Sequence, residues 1–366
     1  MKRKTIAYFL GTYEDWGGAS RALLNFVRLV DRTRIRPVVV VTRPGTLSVQ
    51  LEGDHIDCVV RGIHDRGRNL LRYAVDVARA MRFFRKHGID AIHVNYGAIG
   101  WKPAEILAAR LIRIPIINHL HLGLAETSSF VRYSSVVVAV SRYVADHSEC
   151  WGAPVRVVHN ISDLHRFMHG TDLRHELGLA VDDVVVGFFG QLIRAKGLEM
   201  FVEVARGIDD PRARFLVAGA LRNTAGAYTD DEVRELLATE PRIRYLGYRS
   251  DAENLYATAD VIVMPSQWEE PCAMILFEAA AAGKPVVATA TGGTPAILRH
   301  AETGFLVDRS DVEGMTEHVR QLIEDRDLRR RLGARARQLA REEFSVTPLR
   351  EIEDIYDSLA ADRAAG

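Results

Sequence analysis

The chain has 366 residues, with 48 Lys and Arg against 48 Asp and Glu, and only three cysteines. Its 48% hydrophobic and 26% charged composition is that of a globular protein, and no apolar run reaches the ~18–20 residues a membrane span needs. Zero net charge excludes nucleic acid as a partner held by overall charge, and the isolated Cys58, Cys150 and Cys272 exclude a disulfide framework and imply a reducing cytoplasm.

The neutral total conceals an asymmetry. Residues 1–166 hold 24 basic and 14 acidic side chains, and the rest of the chain holds 24 and 34. Opposite balances suggest two bodies with different partners. Length agrees, because one core rarely grows past roughly 250–300 residues. The expected division is 1–166, 167–345 and a helical tail, 346–366, crossing back to the first domain.

The basic start, Met-Lys-Arg-Lys, leads straight into a strand rather than a cleavable leader. Apolar, β-branched runs predict strands at 6–10, 37–42, 56–60, 91–95, 114–118, 136–140 and 155–158. Amphipathic segments at 19–30, 69–87 and 103–111 lie between them. The alternation repeats, with strands at 184–189, 214–217, 243–246, 261–264, 286–289 and 305–307. Helices are expected at 197–206, 231–238, 251–258 and 273–282, then 312–324, 328–343 and 347–359. Continuous apolar strands separated by helices imply parallel sheets covered on both faces. The fold class is therefore α/β, with two facing Rossmann-like, doubly wound domains and a helical tail. Ligands of such sheets sit beyond the carboxyl ends of the strands, so the chemistry should lie in the loops there.

The most informative stretch is Pro265-Ser-Gln-Trp-Glu-Glu-Pro-Cys-Ala-Met-Ile-Leu-Phe-Glu278, which follows a strand and opens a helix. Pro271 suits the first helical turn and puts Glu270 at the helix entrance. Glu278 then lies two turns inside, ~12 Å along the axis at ~1.5 Å per residue. Free N–H groups at the helix start offer an anion site between the two carboxylates. Hydroxyls at both ends and phosphates between them describe a nucleotide-diphosphate sugar. The competing reading is two solvated helix glutamates.

This stretch resembles the retaining glycosyltransferases of the two-Rossmann, or GT-B, type, specifically the family 4-like, group 1 enzymes. The likeness covers nearly the whole chain and is strongest across residues 243–307. It implies that Glu270 contacts the transferred sugar, that Glu278 holds the ribose, and that backbone amides of Ala273, Met274 and Ile275 meet sugar and diphosphate. It also implies a hexosyl transfer with front-face attack, no cofactor beyond the nucleotide sugar, and no metal. The acceptor would be a glycan, a lipid-linked or a small molecule, in cell-surface polysaccharide or glycoconjugate synthesis.

A second signal is Gly190-Gln191-Leu-Ile-Arg194-Ala-Lys196-Gly197, where a strand ends in glycine and a basic loop enters a helix. Lys196 suits a phosphate. Gln191 stands where the family carries an Arg, and Arg194 is the candidate replacement. A surface Lys at a helix start is the alternative. Gly17 and Gly18, after the first strand, permit close backbone approach, and by resemblance acceptor and donor phosphate meet there. The other acceptor loops are expected near 62–70 and 96–101.

In Pro115-Ile-Ile-Asn-His119-Leu-His121, alternate strand positions put both rings on one face, but no third ligand is spaced to complete a metal site. The family keeps one His near the transferred sugar, and the spacing from Pro115 favours His121 over His119. Gly292-Gly293-Thr294-Pro295-Ala296 resembles a family turn in which Glu usually stands at Ala296. Asp325-Arg-Asp327 mimics a metal motif but falls between helices, where a cap is the better reading. No Gly-x-Gly-x-x-Gly follows the first strand of either half, which argues against a nicotinamide or flavin oxidoreductase.

Two other functions fit the same pattern: a sugar-nucleotide- or glycan-binding protein with a decayed site, and a sugar-nucleotide 2-epimerase. Much of the basic excess is concentrated in Arg61, Arg66, Arg68, Arg72, Arg79, Arg82, Arg85 and Lys86. The helix there has Leu70, Leu71, Ala74, Val77, Ala78, Met81 and Phe84 as its expected apolar stripe. It reads either as a sheet-covering helix with a solvated basic face or as a peripheral contact with an anionic membrane.

Overall fold

The computed structural model describes residues 3–10, 18–61, 69–95, 102–221, 224 and 226–365, with side chains to Leu359. It divides into two compact units, Met1–Ser162 with Val346–Gly366, and Asp163–Ser345.

The first unit runs β1 (Lys4–Leu10), α1 (Gly18–Leu29), β2 (Ile35–Val41), α2 (Thr46–Gly53), β3 (Asp57–Val60), α3 (Leu70–His87), β4 (Ala91–Asn95), α4 (Ala104–Leu111), β5 (Ile116–Leu120), β6 (Val136–Ala139), α5 (Arg142–Asp146) and β7 (Val155–Val157). Its seven parallel strands are ordered β3-β2-β1-β4-β5-β6-β7. Valines 38 to 41 alternate between the two faces, so each face receives its own core. The strand order reverses between β1 and β4, and a crevice opens at such a point.

The second unit contains α6 (Leu164–Met168), β8 (Val184–Phe189), α7 (Leu198–Arg206), β9 (Ala213–Ala218), α8 (Asp230–Ala238), β10 (Ile243–Tyr245), α9 (Ala252–Thr258), β11 (Val261–Met264), α10 (Met274–Ala282), β12 (Val286–Thr289), α11 (Thr294–Ile297), β13 (Gly304–Val307), α12 (Val312–Glu324) and α13 (Arg326–Leu339). Its six strands are ordered β10-β9-β8-β11-β12-β13, reversing between β8 and β11. The unit begins at Asp163, before the expected 166/167 boundary. Asp163 caps α6, which packs on α9 and α10, with Phe167 set edge-on to Tyr256 at 5.2 Å.

The last helix, α14 (Thr347–Ala365), belongs to the first unit. Ile352 and Tyr356 are buried in a core of that unit. Arg34 bridges Glu353 at 2.9 Å and also pairs with Asp357, to which Lys4 pairs as well.

Three expectations need correction. Strand β5 starts at Ile116, two residues later than expected, because Ile114 donates to Ala109 O and belongs to the turn after α4. Helix α10 begins at Met274, so Pro271 precedes the first turn and the ~12 Å helical spacing does not apply. On α3 the buried face is Tyr73, Val77, Ala80 and Phe84, whereas Leu70, Leu71, Ala74 and Ala78 are exposed. Spacings of four, three and four residues fit the sheet better than the wider apolar count suggested.

Candidate active site

In the second unit, two loops meet at the point where strand order reverses. The first follows β8 and ends in a short 3₁₀ turn, Arg194–Lys196, closed by Gly197 at φ +75°. The second follows β11. Gln267 N donates to Ala195 O at 2.7 Å and joins them. Gly197 packs so closely on this second loop that an added Cβ would stand 1.9 Å from Pro265 O. Only glycine satisfies both the left-handed backbone and that approach.

This packing delivers Lys196 to Glu270, with Nζ 2.5 Å from Oε1. The same oxygen accepts from Ser266 Oγ at 2.5 Å and Trp268 Nε1 at 2.8 Å. The Glu270 side chain is 3% exposed and that of Lys196 25%. A buried carboxylate with three donors is fixed in position, since losing any partner would leave charge desolvated. Lys196 Nζ also lies 5.4 Å from the centre of the Trp268 ring.

The loop after β12 holds the backbone of Glu270. Gly293 N donates to Glu270 O at 2.6 Å, and a Cβ on Gly292, at φ +52°, would come 2.3 Å from that carbonyl. The Gly-Gly turn is thus a backbone support for Glu270. Ala296 is exposed, and Glu269 Oε2 takes the Gly292 N–H at 2.6 Å.

Beyond Glu270, α10 begins at an N-cap, Ala273, that offers no side chain to the first N–H groups. Ala273 is buried, and Met274 and Ile275 are half-buried at that uncapped start. Glu278 lies on the same helix, where Oε2 accepts from Tyr256 Oη at 2.7 Å. Burial first, then the charge of Glu278, raises the Tyr256 phenol well above its usual range and keeps it a donor.

Gly190 closes the β8 register, donating to Ala218 O at 3.0 Å, and Gln191 beside it is half-buried. Arg194, the candidate replacement cation, pairs with Glu199 at 3.2 Å and Glu232 at 2.7 Å and lies over Tyr228. Its charge is already balanced by two carboxylates, and Lys196 is the cation beside Glu270. Asp325 caps α13 by accepting from Leu328 N at 2.8 Å, as a helix-boundary residue should.

In the first unit, His119 lies in β5 and His121 just beyond it, their rings stacked 4.3 Å apart. Nε2 of His121 lies 3.0 Å from Asn95 Oδ1, at the end of β4. Asn160 stands beside the His121 ring and favours its charged form, but no bond to Nδ1 has acceptable geometry. Burial dominates and lowers the His121 pKa to about 4, and it lowers that of His119 strongly as well. These residues line a small pocket with His93, His159 and Ile352. Gly18 opens α1, and a Cβ there would meet nothing within 4 Å. Gly17, Arg66, Arg68 and most of the expected acceptor loops lie outside the described residues. Among the described residues, no three His, Cys, Asp or Glu side chains converge to hold a metal.

Motif reading missed Ser266, Trp268 and Tyr256. Ser266 and Trp268 sit within the quoted stretch, but their roles depend on the loop folding back on itself. Tyr256 comes from another helix and carried no signal.

Two parallel α/β units make a two-Rossmann architecture, with a lysine–glutamate pair where strand order reverses in the second. Residues 171–339 match the model of glycosyl transferases group 1 and residues 16–166 that of glycosyltransferase family 4. The chain belongs to this family of enzymes. It is 27% identical to the N-acetyl-alpha-D-glucosaminyl L-malate synthase of Bacillus anthracis, over 77% of this chain and 78% of that protein. It is 28% identical to the D-inositol 3-phosphate glycosyltransferase of Corynebacterium urealyticum, over 87% of this chain and 84% of the relative. Among solved structures, Anabaena HepE in complex with UDP and glucose superposes with a TM-score of 0.79 at 25% identity, covering 97% of this chain and all of that one.

Proposed function

We propose that the enzyme transfers a sugar from a nucleotide-diphosphate sugar to a hydroxyl acceptor, with retention at the anomeric carbon and without a metal. The observation that carries this is the Lys196–Glu270 pair beside the uncapped start of α10. Negative charge grows on the departing diphosphate. A fixed ammonium and the helix N–H groups offset it without reorganising. Glu278, further along α10, is the ribose ligand. A relative solved with UDP and glucose is consistent with a donor of this class.

Retention is assigned to front-face attack, in which the leaving phosphate oxygen takes the acceptor proton. Three donors already draw on Glu270 Oε1, which weakens it as a covalent nucleophile. A binding role toward the sugar hydroxyls fits better. The relatives named for malate and inositol phosphate transfer favour a small hydroxylated acceptor over a polymer.

Contact with an anionic membrane is the finer part of the proposal. Leu70, Leu71 and Val75 are 59%, 83% and 49% exposed at the start of α3, beside exposed Arg72, Arg82, Arg85 and Lys86, while Arg79 pairs with Asp76 at 3.1 Å. Arg61 is not available, since it reaches Glu105 and the Phe83 ring. Each exposed cation near such a surface contributes ~1 kcal/mol, screened by salt.

The test is turnover of UDP-, GDP- and ADP-sugars, with and without chelator, by the wild type and by Lys196→Ala. Loss on chelation would refute the metal-free reading. Epimerised nucleotide sugar without acceptor would replace transfer by epimerisation. Vesicle sedimentation showing no preference for anionic lipid at low salt would remove the membrane contact.

A further inference from the structure

In the first unit a file of four hydrogen-bonding side chains crosses from β1 through α14 to β4 and β5. Tyr8 Oη lies 2.9 Å from Tyr356 Oη, Tyr356 Oη 2.7 Å from His93 Nδ1, and His93 Nε2 3.0 Å from His119 Nδ1. At the end of the file, His119 Nε2 is buried with no hydrogen-bond partner, on a residue that lines the pocket. Burial, above all, depresses both imidazoles, so both are neutral near pH 7 and each carries one proton.

Four groups, one proton each, are joined by three bonds, which leaves two possible directions. If the file runs from His119 to Tyr8, the hydroxyl proton of Tyr8 ends without an acceptor in a core where its residue is 0% exposed. A buried donor without a partner keeps its desolvation penalty uncompensated. If it runs from Tyr8 to His119, every proton within the core is accepted, and the remaining one sits on His119 Nε2. His119 lines the pocket, where a ligand can receive that proton.

We infer that Tyr356 is a positioning residue, which acts through His93 to hold His119 as the Nε2–H tautomer, a neutral donor aimed at a hydroxyl oxygen of a ligand entering this pocket. The chemistry favours a hydroxyl over a phosphate, because neither imidazole carries charge. Asn95 Nδ2 is a second unpartnered donor on the same wall, on a residue 9% exposed. The pocket has room for about one or two water-sized groups, which suits a hydroxyl or hydroxymethyl rather than a whole ring. Tyr356 is held on register by its neighbours, since Glu353 and Asp357 tie α14 to Arg34 and Lys4. The identity of the ligand rests on the glycosyltransferase reading, while the tautomer does not.

Imidazole ¹⁵N spectra of the whole enzyme test the tautomer directly. The wild type should show His119 protonated at Nε2 and unprotonated at Nδ1, and Tyr356→Phe should shift His93 and His119 toward the opposite form. Protonation of His119 at Nδ1 in the wild type, or unchanged rings in Tyr356→Phe, overturns the inference. In the second arm, with UDP-glucose and GDP-mannose as probes, Tyr356→Phe should lower kcat/KM by about tenfold, the loss of one hydrogen bond. In a His119→Ala background the same change should cost nothing more. Losses that multiply would mark a merely structural tyrosine and overturn it. If the wild type turns over neither nucleotide sugar, the functional reading fails, and the spectra still decide the tautomer.

Discussion

Lys196 and Glu270 meet at 2.5 Å although 74 positions separate them in the chain. One sits in the loop after β8 and the other in the loop after β11, neighbouring strands on either side of the reversal in strand order. The pairing is a product of topology. In the proposed reaction, that cation lies where a leaving diphosphate would accumulate charge, and the carboxylate beside it would meet sugar hydroxyls.

Replacing either partner should therefore damage the chemical step. Lys196→Ala and Glu270→Ala are each expected to lower kcat by roughly 100-fold or more, the cost of losing one preorganised electrostatic contact. Initial rates across a panel of sugar nucleotides measure this. Rates within a few-fold of wild type would show that the active site lies elsewhere.

Tyr256 should act differently. Its hydroxyl orients Glu278 at 2.7 Å. Tyr256→Phe removes one charge-assisted bond, about 1.5–3 kcal/mol, and should weaken nucleotide binding with little change in kcat. Calorimetric titration with UDP and GDP, compared with kcat, separates the two effects. A fall in kcat at unchanged affinity would contradict the ribose role.

The histidines predict an acid limit. Burial holds the folded-state pKa of His93 at about 3 and of His121 at about 4, below the ordinary 6.5. Between those values the unfolded chain binds more protons, so stability falls as pH drops from 6.5 toward 4 and is unaffected by these groups above it. For His121 alone the loss approaches about 3 kcal/mol at pH 4. Denaturant titrations from pH 7.5 to 4 should show the decline, and His121→Gln should make it shallower. An equal slope in the variant would assign the acid limit to other groups.

Gly197 tests the joint between the two loops. An added Cβ would stand 1.9 Å from Pro265 O on a backbone at φ +75°, so Gly197→Ala has to move one loop or the other. Expected are a loss of at least ~2 kcal/mol of stability and a sharp fall in activity, because Lys196 is the adjacent residue. Thermal unfolding and turnover measure both. Wild-type values would mean that the loops are not packed against each other.

Much of the architecture was legible in order. Val184–Phe189, Val261–Met264 and Val286–Thr289 are strands at the residues their apolar runs indicated, because a strand buried on both faces is uniformly apolar. The short helices α2, α5, α6 and α11 left no signal, although α4 and α9 of similar length did, since helices this short depend largely on their caps and neighbours. Strand β5 was misplaced because Ile114 is apolar for a turn's reasons.

The sequence by itself determined the two α/β units, the placement of Glu270 and Glu278 around a helix start, and the basic loop carrying Lys196. These are local patterns, written in consecutive residues. Only the tertiary structure showed that Arg194, the candidate replacement at Gln191, is claimed by Glu199 and Glu232 while Lys196 reaches Glu270. It alone brought Tyr356 beside His93, across 263 positions. Sequence spacing cannot report such pairs, since the strand order that joins them is fixed by the packing of whole sheets.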